Sequence, residues 1–387
     1  MKRIVTLLLV LAMVLSLVAC GTSTSTAKAD TTADFKIGII TGTASQGEEE
    51  IATANKMKEK YGDMIVTATY PDNFSSETEQ VIATATNMAA DPAIKAIVWC
   101  QAVDGTVAAI NKVKETRDDI LFIGGIATEA PAIVSETLDI VMMNDEITLG
   151  FDIIDQAKKQ GAKTFVHISF ERHLGITTIA QRQANFKQRC AELGLEYVEA
   201  TAPDPTGDAG VPGAQAWITN NIKVLVDQYG KDTAFFSTNC SMQVPLLQAA
   251  FECGAYYPLP CCPSPYHGYP SALGIESPSD LVAGLQSTVD AINAKMTEAG
   301  LEGHFSTWSV PCSIANTVAA AEYAWLWMAG LADDCDVDIL GAVFKNYVQT
   351  DVALTPYNDP ETSETFDNYF VYTQGFLTFG ELAGPAV

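Results

Sequence analysis

Polar side chains in this chain gather just after short apolar runs. Thr41, Thr43 and Ser45 follow the run 35–40, and Tyr70, Asp72 and Asn73 close the run 64–70. Gln101 and Asp104 come after 94–100, and Thr128 and Glu129 after 120–126. Farther on, Glu171, Arg172 and His173 succeed the run KTFVHISF, while Asn239, Ser241 and Gln243 succeed 233–237. Ser264, Tyr266 and His267 fall in an irregular stretch. Such groups hydrogen-bond small polar molecules; Ser, Thr, Asn and Asp equally serve as turn formers and helix caps. Arg172 stands apart because basic residues are scarce, 22 against 47 acidic. Its guanidinium would grip a carboxylate or phosphate at two points, or pair with one of the chain's own acids. His173 shares both readings, whereas His167, in mid-run, reads as a core histidine. Tyr70, Trp99, Tyr266 and Trp308 would stack on a flat ligand or pack at a rim.

Nucleophilic catalysis needs a base and an orienting acid beside the nucleophile. The chain has no G-x-S-x-G, no H-E-x-x-H and no P-loop, and Thr41-Gly42-Thr43 is not a phosphate-binding glycine motif. Cys240 with His267 is the nearest nucleophilic arrangement, and nothing in their spacing selects it. We therefore expect no enzyme and no cofactor. Nine cysteines include no C-x-x-C pair and no zinc-ribbon spacing, so they read as structural or free thiols and no metal is expected. Cys253, Cys261 and Cys262 are the one cluster that could pair locally, and their redox state stays open.

The elements that carry these groups alternate. The run 35–40 ends in small hydroxyl residues and opens into Glu48-Glu49-Glu50, acids suited to a helix N-terminus. That strand, loop and helix make one step of a parallel sheet. Further strands are expected at 64–70, 94–100, 120–126 and 139–143, with helices at 51–61, 77–90 and 106–117 between them. A helix at 147–160 closes on Gly161, and the cycle restarts with strands at 163–170, 196–200 and 233–237. The regularity breaks at 258–278, rich in Pro, Gly, Ser and Tyr. Helices follow at 280–299, 313–331 and 338–347, with strands at 305–310 and within 369–379. Strand ends are where such sheets bind ligands.

At the N-terminus, Lys2 and Arg3 precede an apolar run at 4–18 that is short for a membrane span, and it ends Leu17-Val18-Ala19-Cys20-Gly21. The junction resembles the lipobox of bacterial lipoproteins, which implies cleavage before Cys20 and a lipid on its sulfur. Residues 21–33 are rich in Thr, Ser and Ala, a flexible tether spanning roughly 20 Å. The net charge of −25 lacks the basic footprint that nucleic acid or anionic lipid requires.

A lipobox, a tether and two successive β-α lobes resemble a type 1 periplasmic substrate-binding lipoprotein, closest to an uncharacterised Firmicute group of that fold. The resemblance covers 34–387 as a pattern, and the 258–278 stretch and the C-terminal tail exceed the sugar-receptor pattern. It implies an α/β fold of two doubly wound parallel-sheet lobes joined by hinge crossings, near Asn144 and Asp145, Val310 and Pro311, and 350–357. The expected division is a signal peptide at 1–19 and a lipidated tether at 20–34. The N-terminal lobe takes 35–145 plus about 312–350, and the C-terminal lobe 146–311 plus about 351–387. It implies a monomer on the extracytoplasmic face of the membrane, held by the lipid on Cys20, that captures a small polar molecule for an ABC permease or senses it without transport. The expected contacts are Thr41, Thr43, Ser45, Tyr70, Asp72, Gln101, Asp104, Thr128, Arg172, His173, Asn239, Ser241 and Tyr266.

Overall fold

A computed structural model describes residues 35–349 and 352–381. The expected signal peptide, Cys20 and the tether lie outside the described residues. Five strands, β1 (Lys36–Thr41), β2 (Ile65–Thr69), β3 (Ile94–Trp99), β4 (Leu121–Gly125) and β5 (Ile140–Asn144), open the chain. A second series follows with β6 (Thr164–Ser169), β7 (Glu196–Thr201), β8 (Thr233–Ser237) and β9 (Ser306–Trp308). Three late strands are β10 (Thr355–Asn358), β11 (Thr365–Tyr372) and β12 (Phe376–Thr378).

The first lobe is a seven-stranded sheet in the order β10-β11-β5-β4-β3-β1-β2, parallel except for β10. Its strands are apolar on both sides because helices cover both faces. Ile37 and Ile39 pack with the helix Cys312–Met328 on one face, while Ile40 and Ile97 join Val81 and Ile110 on the other. In the second lobe β7-β6-β8 is parallel. Single parallel bridges, Ala234 to Tyr256 and Tyr257 to Phe305, carry this sheet across to the antiparallel pair β9 and β12. The architecture is the expected pair of doubly wound α/β lobes.

The tail departs from the expected division. Residues after about 351 were assigned to the second lobe, yet β11 pairs in parallel with β5, Tyr369 beside Val141, and extends the first sheet. Without β11 the edge of β5 would be left unpaired, and Phe366, Tyr369, Phe370 and Tyr372 are buried by docking there. Only β12 returns to the second lobe. The third crossing is therefore at residues 373–375 and not at 350–357. The other two connections run through Asp145, between β5 and the helix Glu146–Gln160, and through residues 309–311, before the helix Cys312–Met328.

Local chemistry sets the first crossing. The Asp145 side chain accepts from the Thr148 backbone N–H at 3.0 Å and caps the helix, which Gly161 ends at φ +111°. This helix lies against the helix Thr177–Leu193 at close range: a Cβ at Gly150 would stand 2.9 Å from the Arg182 carbonyl oxygen. That approach brings Glu146 and Arg182 together at the cleft.

Candidate functional site: the cleft between the lobes

The C-terminal ends of strands from both sheets converge on one cleft. The first lobe supplies Tyr70 after β2, Gln101 after β3 and Thr128 after β4. The second supplies His173 after β6, and Asn239 and Cys240 after β8. Between them is a cavity of about 60 Å³, well short of the roughly 300 Å³ at the small end of ligand pockets. A sugar-sized molecule enters only if the lobes part. Ile126, a β-branched residue at φ +41° just past β4, lies on the cavity wall. Strain of this kind collects at binding sites.

Five of the expected contacts line this cavity: Tyr70, Gln101, Thr128, His173 and Asn239. The others serve its frame. Thr43 and Ser45 both donate to Asp72, Ser45 at 2.6 Å, and fix the two first-lobe loops to each other. Thr41 is buried and donates to the Gly42 carbonyl. Ser241 donates to Asn239 Oδ1 at 2.7 Å, and Tyr266 donates to the Leu281 carbonyl at 2.5 Å, turned from the cavity. Asp104 accepts from Thr128 at 2.7 Å and Ser75 at 2.9 Å. Arg172 donates to Asp204 at 2.8 and 3.2 Å and across the cleft to Asp104 at 3.1 Å, so acids of the chain itself hold it. Trp99 and Trp308 are fully buried core residues and have no face open to a ligand. His167 is a core histidine, its ring against Tyr197, Phe186 and Phe236.

Sequence reasoning missed Arg182. It is 2% exposed, lines the cavity, pairs with Glu146 and lies over the Phe236 ring at 4.9 Å. Its spacing carried the signal: Ile179, Arg182, Phe186 and Cys190 form the buried stripe of one helix. Burial pulls Arg182 down to about 10.

Glu49 and Glu50 stand in the first turn of the helix Glu48–Tyr61, as expected, and are also buried. Glu50 accepts from Gln101 Nε2 and, at 3.1 Å, from the Gly42 N–H. Glu49 reaches into the second lobe, where Ser264 donates to its Oε2 at 2.6 Å. Burial pushes both carboxyls up to about 7, against the opposing pull of those hydrogen bonds. Burial, helped by the Arg172 charge, holds His173 down to about 3, a neutral ring whose Nδ1 meets Thr238 Oγ1 at 3.0 Å.

At the floor of the cleft Cys240, Cys261 and Cys262 meet His267. Cys240 Sγ lies 3.5 Å from Cys261 Sγ and 3.4 Å from Cys262 Sγ, and Cys261 Sγ is 3.6 Å from His267 Nε2. Contacts from Cys261 and Cys262 hold the Cys240 thiol well below its usual range, and their own thiols are raised. The expected local cluster named Cys253 in place of Cys240. Cys253 instead sits half-buried at the far end of its helix. The bridge from Ala234 to Tyr256 brings the stretch after Tyr257 alongside the end of β8, and there Cys262 meets Cys240.

Among the described residues, no helix is long and apolar enough to cross a membrane. A family model described as "Protein of unknown function (DUF3798)" matches residues 35–306. An uncharacterized protein of Treponema pallidum (strain Nichols) is 33% identical over 181 residues, 45% of this chain and 82% of that protein. Among solved structures, a putative transcriptional regulator from Clostridium difficile 630 is similar at TM-score 0.67 and 23% identity, over 89% of this chain and 99% of that one. An ABC transporter solute-binding protein from Clostridium phytofermentas with bound L-rhamnose is similar at TM-score 0.52 and 9% identity, over 89% and 95%. One from Actinobacillus succinogenes 130z with bound D-allose is similar at 0.51 and 13%, over 77% and 93%. The shared fold is that of type 1 periplasmic solute-binding proteins.

Proposed function

This chain belongs to the DUF3798 family, and from that premise we propose that it is an extracytoplasmic binding protein that closes two lobes over a small polar molecule. The observation that carries this reading is the cleft itself: strand ends from both lobes meet there, and three short crossings join the lobes. Gln101 and Asn239 supply amides from opposite sides, Tyr70 an aromatic wall, and Arg182 a buried cation. Solute-binding proteins of the same fold carry L-rhamnose and D-allose, so hydroxyl-rich ligands head the candidates. Residues 1–19 would be removed on export, and a lipid on Cys20 would hold the protein at the membrane through the tether 20–34, beside an ABC permease. The first lobe takes 35–144, 312–349 and the strands β10 and β11; the second takes 146–308 and β12. Ligand sensing is the second reading, favoured by the likeness to the putative transcriptional regulator from Clostridium difficile 630.

A thermal-shift screen of the full chain against sugars, nucleosides, amino acids and small carboxylates tests the proposal. A true ligand at a hundredfold excess over its Kd adds about 2.7 kcal/mol to stability and raises the midpoint. Gln101→Ala and Asn239→Ala should each reduce that shift when it is read against the variant's own ligand-free midpoint. If no compound shifts the midpoint, or if both variants respond like wild type, the cleft is not the binding site.

A further inference from the structure

The four groups at the cleft floor have the geometry of a tetrahedral metal site. Their donor atoms all lie within 4.8 Å of one another. Zinc bonds of about 2.3 Å to sulfur and about 2.05 Å to nitrogen give tetrahedral edges of about 3.8 Å between sulfurs and about 3.6 Å from sulfur to nitrogen. The sulfurs here stand 3.4, 3.5 and 4.0 Å apart, and Cys261 Sγ is 3.6 Å from His267 Nε2. A disulfide would need about 2.05 Å. An iron–sulfur cluster interposes several atoms between its cysteines and would spread them farther than this.

A second observation comes from the opposite lobe. Glu49 Oε1 is buried without a hydrogen-bond partner and lies 3.7 Å from His267 Nδ1. Metal-bound histidines almost always direct their other ring nitrogen to a carboxylate or a carbonyl, which fixes the tautomer and strengthens the ligand. Here Nε2 faces the sulfurs and Nδ1 faces the carboxylate. All four donors belong to the second lobe, and the carboxylate arrives with the first.

We propose that Cys240, Cys261, Cys262 and His267 hold one thiophilic divalent ion, zinc, in a closed tetrahedral site, and that Glu49 braces His267 when the lobes meet. Thiol protons leave as the ion binds, and no electron is transferred. The four protein ligands fill the shell, so the ion acts as a fixed floor of the cleft and has no open position for substrate. Soft thiolate ligands select zinc over magnesium or calcium. This site stands independently of the small-molecule reading, which would survive its loss.

The test is metal content and affinity of the full chain, purified under reducing conditions without added ligand. The expected result is one zinc per chain after dialysis, and cobalt replacement should give the visible bands of a tetrahedral thiolate site. Cys240→Ser and the double change Cys261→Ser with Cys262→Ser should lose the ion, whereas Cys253→Ser should keep it. Cysteine variants could fail by misfolding, so Glu49→Gln provides the second arm. It retains all four donors and should keep one zinc per chain with affinity lowered about 10- to 100-fold against a chromophoric chelator. Less than stoichiometric zinc in the folded reduced protein, octahedral cobalt spectra, or unchanged metal in the double serine variant would each overturn the proposal. Unchanged affinity in Glu49→Gln would overturn the bracing role.

Discussion

Two side chains at the cleft make sharp predictions because burial leaves them few partners. Arg182 and Glu146 are 2% and 7% exposed and face each other across two closely packed helices. Removing one partner of a buried pair strands the other charge, so Arg182→Met should lower stability by about 3–5 kcal/mol in urea unfolding, and adding Glu146→Leu should restore most of it. A single-variant loss below about 1 kcal/mol would contradict the buried pair. Glu50 makes a prediction about pH. Its folded carboxyl keeps its proton to about pH 7, whereas the ordinary value is 4.5. The folded state thus binds more protons between those values, so this contribution is complete below about pH 4.5 and is lost as the pH rises through 7. The groups facing it are Gln101, the Gly42 N–H, Glu49 and Cys240. The unfolding free energy should fall by on the order of 2–3 kcal/mol across this window, and Glu50→Gln should flatten the fall. An equal slope in the variant would remove Glu50 as its source. Residues of these two kinds differ in how they show in the sequence. Arg182 was missed although it carries a signal, since it interrupts an apolar stripe at helical spacing. The thiol cluster was not legible, because Cys240 and Cys262 sit in segments beyond the strands, which only the folded chain brings together.

Among the elements, the loops after β3, β6 and β7 are tied together by Arg172, which holds Asp104 of the first lobe and Asp204 of the second. These side chains are between 21% and 29% exposed, so the cross-cleft pair contributes no more than about 1 kcal/mol. That is still enough to shift an open–closed balance several-fold. Asp104→Ala should enlarge the radius of gyration of the ligand-free protein in solution scattering, with the difference from wild type shrinking as salt is raised. Identical scattering at low salt would show that Arg172 does not latch the lobes. Strands inside the sheets were legible because their runs are apolar on both faces, and β1 to β8 fall within a residue or two of expectation. β10 was not, since Pro356 suits only an edge strand and gives no alternating pattern. The short helix Pro131–Thr137 is likewise absent from the pattern, being two turns long with a proline at its start.

For the molecule as a whole, the repeated β-α steps were enough to indicate two doubly wound lobes, because each step demands helices on both sheet faces. Which lobe the tail joins was not legible: β11 and β12 follow each other closely, and only the unpaired edges of β5 and β9 decide between them. The tail's route has a consequence for how the protein comes into being. β11 lies inside the first sheet, between β5 and β10, and β12 completes the pair with β9. The first sheet thus keeps an open place beside β5 until β11 arrives from far along the chain, Tyr369 against Val141, whereas β12 reaches back only to β9. The two lobes are therefore unlike in wiring: β6, β7 and β8 pair within one stretch of chain, while the first sheet is finished only by contacts distant in sequence.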